Sequence, residues 1–214
     1  MNVASESAVR EELCRLGRSI FERGLTGGST GNLSVRLDGG FLMTPTGASL
    51  GDLDPGGLAR LDQKGRHLSG APPTKEAFLH IAMYEERPRA HAVVHLHSPH
   101  AVAVSCLADV DPADVLPPIT AYYVMRVGRL PLIPFFRPGD SRLAEAVRAR
   151  AAEHPAALLA NHGPVVAGPS LRAAADAIEE LEATAQIFLL LRHQPTRFLT
   201  PEQVAEVRAA FPLG

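Results

Sequence analysis

A short apolar stretch that carries two histidines constrains the fold of this chain more than any other feature. The stretch begins at Val93 and is typical of a buried strand, and His95 and His97 follow two residues apart. Alternate side chains of a strand point to the same face, so both imidazoles are expected on one face. Ser98 and Pro99 then predict the end of the strand and the start of a helix, with Ser98 as its N-cap.

Four residues are candidates for a metal centre. Two histidines at a strand end form a pre-positioned pair of nitrogen ligands, although hydrogen-bonded core histidines give the same pattern. His162 is a third candidate, because it lies in an Asn-His-Gly turn where Gly163 lets the backbone turn tightly. Glu76 is the fourth, early in a predicted helix, where a carboxylate also serves simply to offset the helix dipole. Together they predict a divalent metal with an adjacent acid/base.

The hydrophobic periodicity predicts helices mixed with many short strands. Helices are expected over residues 7–23, 75–86, 99–107 and 140–153, and after the caps at 170 and 200. Strands are expected over residues 33–36, 41–44, 58–61, 66–68, 93–97, 121–125, 130–135, 156–160 and 165–167. Because several strands pair as hairpins, the fold class is α/β, a three-layer sandwich with a central, largely antiparallel or mixed sheet. The 214 residues, 46% of them hydrophobic, suit one domain over 1–214.

Composition argues against several classes of partner. The net charge is −2 and no long basic stretch occurs, so no nucleic-acid partner is expected. The longest strongly apolar run, 187–191, is too short to span a bilayer, and the first residues lack a signal-peptide pattern. Cys14 and Cys106 are the only cysteines, which excludes a disulfide framework. A reduced, cytoplasmic protein is therefore expected.

Three stretches are suited to binding an anion. Residues 27–32, Gly-Gly-Ser-Thr-Gly-Asn, offer backbone N–H groups and short hydroxyls, as phosphate-binding nests do. Residues 44–47, Thr-Pro-Thr-Gly, offer further hydroxyls in a tight turn, and Thr74 and Lys75 add a hydroxyl and a cation at a helix start. Each stretch is also typical of an ordinary turn, and neither a P-loop lysine pattern nor a dinucleotide fingerprint is present.

Five motifs in a fixed order make the chain similar to a known family. They are Gly-Asn-Leu-Ser-Val-Arg (31–36), Thr-Pro-Thr-Gly (44–47), Thr-Lys-Glu (74–76), Val-Val-His-Leu-His (93–97) and Asn-His-Gly (161–163). In these motifs the chain resembles the class II aldolase/adducin family over nearly its whole length. The resemblance implies zinc bound by His95, His97 and His162, with Glu76 as acid/base and additional ligand. The family's phosphate site corresponds to Gly31, Asn32, Thr46, Gly47, Thr74 and Lys75.

The resemblance also implies a homotetramer with active sites at subunit boundaries. In the family a tyrosine acts across this boundary on the leaving fragment, and Tyr122 or Tyr123 resembles it. Alternatively, either tyrosine is an ordinary aromatic residue that fills space in a strand.

Longer stretches indicate a reaction within the family. Residues 96–102, 116–134, 136–140 and 159–168 are similar to a branch that decarboxylates a four-carbon 3-oxo acid phosphate to dihydroxyacetone phosphate. Lys75 stands where sugar-phosphate aldolases often have a second serine, which suggests an additional negative charge on a small phosphorylated sugar acid. Lys75 is suited to pair with either its phosphate or its carboxylate.

The metal is expected to stabilise an enediolate formed when carbon dioxide leaves. Zinc is the expected metal, and manganese and cobalt also accept this set of ligands. The alternative functions are a retro-aldol lyase acting on a ketose 1-phosphate, a sugar-phosphate epimerase and a non-catalytic adducin-type scaffold. The complete set of three histidines and Glu76 argues against a scaffold, which has no chemical need for it.

Overall fold

Eight strands form one mixed sheet in the computed structural model, which describes residues 5–213. The strands are β1 Asn32–Leu37, β2 Gly40–Met43, β3 Ala59–Asp62, β4 His67–Ser69, β5 Ala92–His95, β6 Leu132–Ile133, β7 Ala156–Leu159 and β8 Gly163–Gly168. Their order is β4-β3-β2-β1-β5-β8-β7-β6, and all neighbouring pairs are antiparallel except β6 and β7. This confirms the predicted mixed sheet. Residues 1–4, part of the N-terminal stretch assessed for a signal peptide, and residue 214 lie outside the described range.

Seven α-helices flank this sheet within residues 5–213. They are α1 Glu6–Glu22, α2 Ala77–Glu86, α3 Pro99–Ser105, α4 Ala121–Arg126, α5 Arg142–Ala151, α6 Leu171–Leu191 and α7 Pro201–Ala210. The predicted capping box at the start of α7 is confirmed, because Thr200 and Gln203 exchange side-chain and backbone hydrogen bonds. In the described part of the chain, no helix combines the length and apolar composition needed to cross a bilayer.

The two faces of the sheet bury separate apolar clusters. On β5, Val94 packs into a cluster shared with α1, α3, α4 and α6, whereas Val93 packs into one shared with α2 and α5. This division follows from the alternation of side chains along a strand. Helices therefore cover both faces, which confirms the three-layer α/β sandwich.

Two strand predictions need correction. Residues 121–125 are helical, in α4, because the Thr120 hydroxyl accepts a hydrogen bond from the Tyr123 N–H and so caps a helix. A short apolar run does not distinguish a strand from a buried helix. The strand predicted over 93–97 ends at His95, since the chain leaves the sheet there to begin α3. His97 therefore lies two residues beyond β5 rather than within its strand.

The start of α3 is capped by a residue distant in sequence. Ser98 occupies the predicted N-cap position, but its hydroxyl is buried and has no hydrogen-bond partner among residues 5–213. The Glu182 carboxylate on α6 instead accepts the backbone N–H groups of His100 and Ala101, at 2.9 and 2.8 Å. This contact fixes α3, and with it the segment that follows β5, against α6.

Candidate metal centre

The four predicted ligands converge at one end of the sheet. The Nε2 atom of His97 lies 3.2 Å from Nε2 of His95 and 2.9 Å from Nε2 of His162. The two Glu76 carboxylate oxygens lie 3.4 Å from Nε2 of His95 and 3.3 Å from Nε2 of His162. One ligand atom from each residue falls within 4.8 Å of all the others. We call these four residues the His–Glu cluster.

This spacing suits a divalent cation. Nitrogen ligands about 2.0–2.1 Å from a tetrahedral zinc ion are about 3.3 Å from one another, close to the separations within the cluster. His95 Nδ1 lies 2.8 Å from the Pro164 carbonyl oxygen, to which it donates, so its Nε2 is left without a proton and faces the cluster. The donor set of three imidazoles and one carboxylate is therefore compatible with a divalent metal.

The fold positions each ligand through short, constrained connections. His95 shares the face of β5 that carries Val93, and that face is covered by α2, at whose N-cap Glu76 lies. His162 immediately precedes β8, which pairs with β5, so the turn returns the ring to the end of β5. A Cβ at Gly163 would lie 2.3 Å from the Leu96 carbonyl oxygen, so this close approach of two backbones requires glycine.

Burial favours the neutral, metal-binding form of the His95 and His97 imidazoles. Burial lowers the pKa of His95 to about 3, and burial together with the neighbouring His162 lowers the pKa of His97. Burial by itself would raise the pKa of Glu76, but the positive charge that the adjacent imidazoles carry when protonated and a hydrogen bond from Asn32 outweigh it and lower that pKa. Neutral imidazoles and an ionised carboxylate are the protonation states required of metal ligands.

The predicted anion-binding loops are joined to one another beside the cluster. Gly31 has a φ of 78°, and a Cβ there would lie 3.2 Å from the His95 carbonyl oxygen. The Thr74 N–H donates to the Thr44 carbonyl at 3.1 Å, and the Thr46 N–H donates to the Pro72 carbonyl at 3.0 Å. The Thr74 hydroxyl is buried and accepts the Glu76 N–H at 3.2 Å.

Three of the six residues predicted to form the phosphate site face solvent. Thr46, Gly47 and Lys75 are exposed, and Lys75 makes no ion pair with any other described residue. A Cβ at Gly47 would meet no atom within 4 Å, so the space beside that residue is open. The loops therefore leave a hydroxyl, a backbone turn and a cation accessible near the cluster.

Asn32 and the two tyrosines do not lie where direct contact with a phosphate or substrate would place them. The Asn32 side chain is buried and directed to Glu76 and His80 rather than to an open loop. Tyr122 is 59% exposed on α4, whereas Tyr123 is buried and its hydroxyl has no hydrogen-bond partner within residues 5–213. Neither tyrosine forms a hydrogen bond or ring contact with the His–Glu cluster of its own chain in the described range.

A cavity of about 430 Å³ opens next to the cluster. Its lining includes His97, His162, Asn161, Phe135 and Phe136. Phe135 is 62% exposed, so its ring stands at the mouth of the cavity rather than in the core. The sequence pattern did not single out the two phenylalanines as site residues, because Phe135 ends a predicted strand, where aromatic residues are ordinary, and Phe136 directly follows it.

Sequence reasoning also missed three buried polar residues behind Glu76. Ser34, His80 and Tyr84 are each at most 1% exposed and form a hydrogen-bonded set. The spacing of 76, 80 and 84 was a usable signal, since it places one acidic, one imidazole and one phenol group on the same side of a helix.

Comparisons with known proteins give the chain a family context. The model of the class II aldolase and adducin N-terminal domain matches residues 11–189. The 3-oxo-tetronate 4-phosphate decarboxylase of Escherichia coli K12 is 49% identical over 205 residues, covering 95% of this chain and 97% of that protein. The L-fuculose phosphate aldolase of the same strain is 34% identical over 192 residues, covering 88% and 86%. The crystal structure of YgbL from Escherichia coli superposes with a TM-score of 0.94 at 48% identity, covering 96% of this chain and 100% of YgbL.

Proposed function

Because the chain belongs to the class II aldolase and adducin family, we propose that it is a carboxy-lyase that converts 3-oxo-tetronate 4-phosphate to dihydroxyacetone phosphate and carbon dioxide. One observation carries the choice of reaction. Identity to the decarboxylases is 46–49% over nearly the full chain, against 34% to the fuculose phosphate aldolases. A retro-aldol lyase is the second candidate, since both reactions place negative charge on a carbonyl oxygen of a phosphorylated substrate.

The His–Glu cluster is the proposed metal site. His95, His97 and His162 would hold one divalent cation, with Glu76 as a further ligand, and zinc is the proposed ion, with manganese and cobalt as alternatives. When bound, the cation would supply Lewis-acid stabilisation of the charge that develops on the substrate oxygens.

The loops beside the cluster are proposed to bind the phosphate. Their members are Gly31, Asn32, Thr46, Gly47, Thr74 and Lys75. Anchoring the far end of the substrate would fix the reacting end relative to Glu76, which reduces the entropy lost on reaching the transition state. Lys75 is exposed and carries its charge on a flexible stem, so it suits a phosphate better than a carboxylate whose charge disappears as the reaction proceeds.

Glu76 is the proposed acid/base. The carbon that loses carbon dioxide must gain a proton, and Glu76 is the carboxyl group adjoining the imidazoles. Because the pKa of Glu76 is lowered, a water molecule that it orients is a suitable proton donor, with the carboxylate passing protons from solvent.

Further parts of the proposal concern the whole protein. We propose that residues 1–214 form one domain of the family, that four copies assemble into a homotetramer, and that the enzyme is cytoplasmic. Tyr122 or Tyr123 would then act on the substrate of a neighbouring subunit, and exposure favours Tyr122.

A direct assay tests the reaction. Purified protein loaded with zinc is incubated with 3-oxo-tetronate 4-phosphate, and carbon dioxide and dihydroxyacetone phosphate are measured; L-fuculose 1-phosphate is tested in parallel. We expect stoichiometric release of both products from the oxo acid and no more than trace cleavage of the ketose phosphate. Cleavage of the ketose phosphate without carbon dioxide release from the oxo acid would replace the decarboxylase by the aldolase.

A further inference from the structure

Strand β1 and helix α2 present matching rows of polar side chains to each other. The row on β1 is Asn32, Ser34 and Arg36, and the row on α2 is Glu76, His80 and Tyr84. Two strand residues advance by about 6.6 Å and four helix residues by about 6.0 Å, so rows with these spacings stay in register. Arg36 closes the far end, where its guanidinium lies 4.8 Å from the centre of the Tyr84 ring and donates to the Tyr84 carbonyl at 2.7 Å.

The hydrogen bonds between the rows have a single direction. Asn32 Nδ2 donates to Glu76 Oε2 at 2.8 Å, and since a carboxylate only accepts, this contact fixes which end of the amide faces Glu76. Asn32 Oδ1 must then accept, and it lies 2.5 Å from Nε2 of His80. With its proton on Nε2, His80 accepts at Nδ1 from the Ser34 hydroxyl at 2.7 Å. The Ser34 oxygen in turn accepts from the Tyr84 hydroxyl at 2.9 Å.

The chain of hydrogen bonds is closed to solvent. Ser34 and His80 are fully buried, Tyr84 is 1% exposed and Asn32 is 6% exposed. Burial also lowers the pKa of His80 to about 4, so the ring is neutral and carries one N–H. Water cannot replace a lost partner easily in such a setting, which makes each orientation depend on the next.

We propose that Tyr84, Ser34, His80 and Asn32 form a positioning relay that holds the Glu76 carboxylate in the orientation needed by the metal centre. A flipped Asn32 amide would set its oxygen against Glu76 and its NH₂ against the His80 N–H, so His80 selects the correct orientation. Ser34 and Tyr84 select the His80 tautomer that donates to Asn32. In the described part of the chain, the Asn32 amide is the group that donates a hydrogen bond to this carboxylate.

The inference rests on the proposed role of Glu76, and it assigns His80, Ser34 and Tyr84 no contact with substrate. Partners of this kind behind metal ligands typically contribute about 10–100-fold in metal affinity or activity. The relay also explains why Asn32 is buried despite the phosphate-site position that the sequence motif gives it.

Zinc affinity tests the relay independently of the reaction. The zinc dissociation constant of the metal-free protein is measured by competition with a chromophoric chelator for wild type, His80→Phe, Ser34→Ala and Tyr84→Phe. We expect a rise of about tenfold for His80→Phe, with smaller rises for Ser34→Ala and then Tyr84→Phe. In turnover assays kcat should fall in the same order while KM for 3-oxo-tetronate 4-phosphate changes by less than about twofold.

A double-mutant cycle separates positioning from general destabilisation. In a Glu76→Ala background, His80→Phe should cause no further loss of zinc affinity, because the relay acts only through that carboxylate. The matched control is Thr184→Val, which removes a buried hydroxyl on α6 and should leave zinc affinity unchanged. His80→Gln retains an N–H donor and should recover most of the zinc affinity. If His80→Phe does not fold, the zinc affinities of His80→Gln and Ser34→Ala test the relay instead.

The two proposals fail separately. The relay would be overturned if His80→Phe and Ser34→Ala bound zinc as tightly as wild type. It would also be overturned if His80→Phe lost equal zinc affinity with and without Glu76, even in an enzyme that decarboxylates its substrate. Absence of carbon dioxide release by the wild type would overturn the proposed function, while the zinc cycle would still decide the relay.

Discussion

His97 is held less firmly than His95 within the cluster. His95 is fully buried and donates to the Pro164 carbonyl. Within residues 5–213, the hydrogen-bond partners of the His97 ring are the other two imidazoles alone. We therefore expect His97→Ala to fold normally but to lose most bound zinc, and activity to fall by about 100-fold or more, at the upper end of effects seen around metal ligands. Atomic emission on the purified variant checks this. Full metal occupancy in His97→Ala would contradict the assignment of the ligand.

Glu76 combines two proposed roles that a conservative substitution can separate. Glu76→Gln keeps the size and the hydrogen bond to Asn32 but removes the charge and the ability to exchange a proton. We expect kcat to fall by about 100-fold or more, the usual effect of losing a general acid/base, with the fold intact. Steady-state kinetics and circular dichroism provide the measurement. Near-normal turnover would reduce Glu76 to a residue that offsets the dipole of α2.

Lys75 tests how the substrate is held. Its side chain is exposed and follows Thr74, whose buried hydroxyl accepts the Glu76 N–H. An exposed cation beside the proposed phosphate loops would contribute about equally to the ground state and the transition state, so Lys75→Ser should raise KM more than it lowers kcat. Steady-state kinetics on 3-oxo-tetronate 4-phosphate distinguish the two effects, with Lys64→Ser as a control for loss of a lysine elsewhere. A fall in kcat with unchanged KM would instead place Lys75 at the reacting carboxylate.

At the scale of elements, the turn between β7 and β8 sets the position of His162. The Cβ of an alanine at 163 would lie 2.3 Å from the Leu96 carbonyl oxygen, so the ends of β5 and β8 would have to separate. We expect Gly163→Ala to lower the melting temperature by several degrees, consistent with a loss of about 1–3 kcal/mol, and to weaken zinc binding. The control is Gly57→Ala, whose Cβ would meet only the Asp54 side chain, at 3.5 Å. Equal melting temperatures for Gly163→Ala and Gly57→Ala by calorimetry would contradict the close approach of residue 163 to the Leu96 carbonyl.

Local patterns predicted most elements correctly and failed where tertiary contacts decide. The alternation along β5 and the capping box at Thr200 depend on neighbours in sequence, so both were predictable. Residues 121–125 were not, because Tyr123 and Val124 are apolar and β-prone, and their helix is stabilised by the Thr120 cap and by packing against α6 and α7. Tertiary packing overrides propensity in such short segments.

The candidate site divides in the same way. His95, His97 and His162 were predicted because strand spacing and a glycine turn indicate metal ligands, and Glu76 because it adds a carboxylate at a helix start to the three histidines. The relay behind Glu76 was not, since it depends on the register between β1 and α2, which are joined only through long-range packing. Asn32 illustrates the difference, because its motif predicts a phosphate contact while its side chain is buried against Glu76 and His80.

At the scale of the whole molecule, the placement of the tyrosines makes oligomeric state a question about catalysis. Tyr122 is exposed on α4 and touches no member of the His–Glu cluster of its own chain within residues 5–213, although the family resemblance implies a tyrosine that acts on a leaving fragment. If Tyr122 has the proposed role, it would have to act at the cluster of a neighbouring subunit. The proposed tetramer, with active sites at its boundaries, would supply that neighbour.

Subunit mixing tests this arrangement. Glu76→Gln and Tyr122→Phe chains should each be poorly active alone, because each homotetramer would lack one group at every site. Co-expressed chains should recover activity, since a boundary that joins the intact cluster of a Tyr122→Phe subunit to the Tyr122 of a Glu76→Gln subunit contains both groups. We expect about one quarter of wild-type activity for random mixing, because about half of the sites have an intact cluster and about half of those face an intact tyrosine, and both groups are needed together. Light scattering checks that the mixed chains assemble. The control is a mixture of Glu76→Gln and Tyr122-intact His97→Ala chains. Because every cluster in that mixture is defective, mixing should restore no activity. Full activity of Tyr122→Phe by itself would exclude that tyrosine and direct the same experiment to Tyr123.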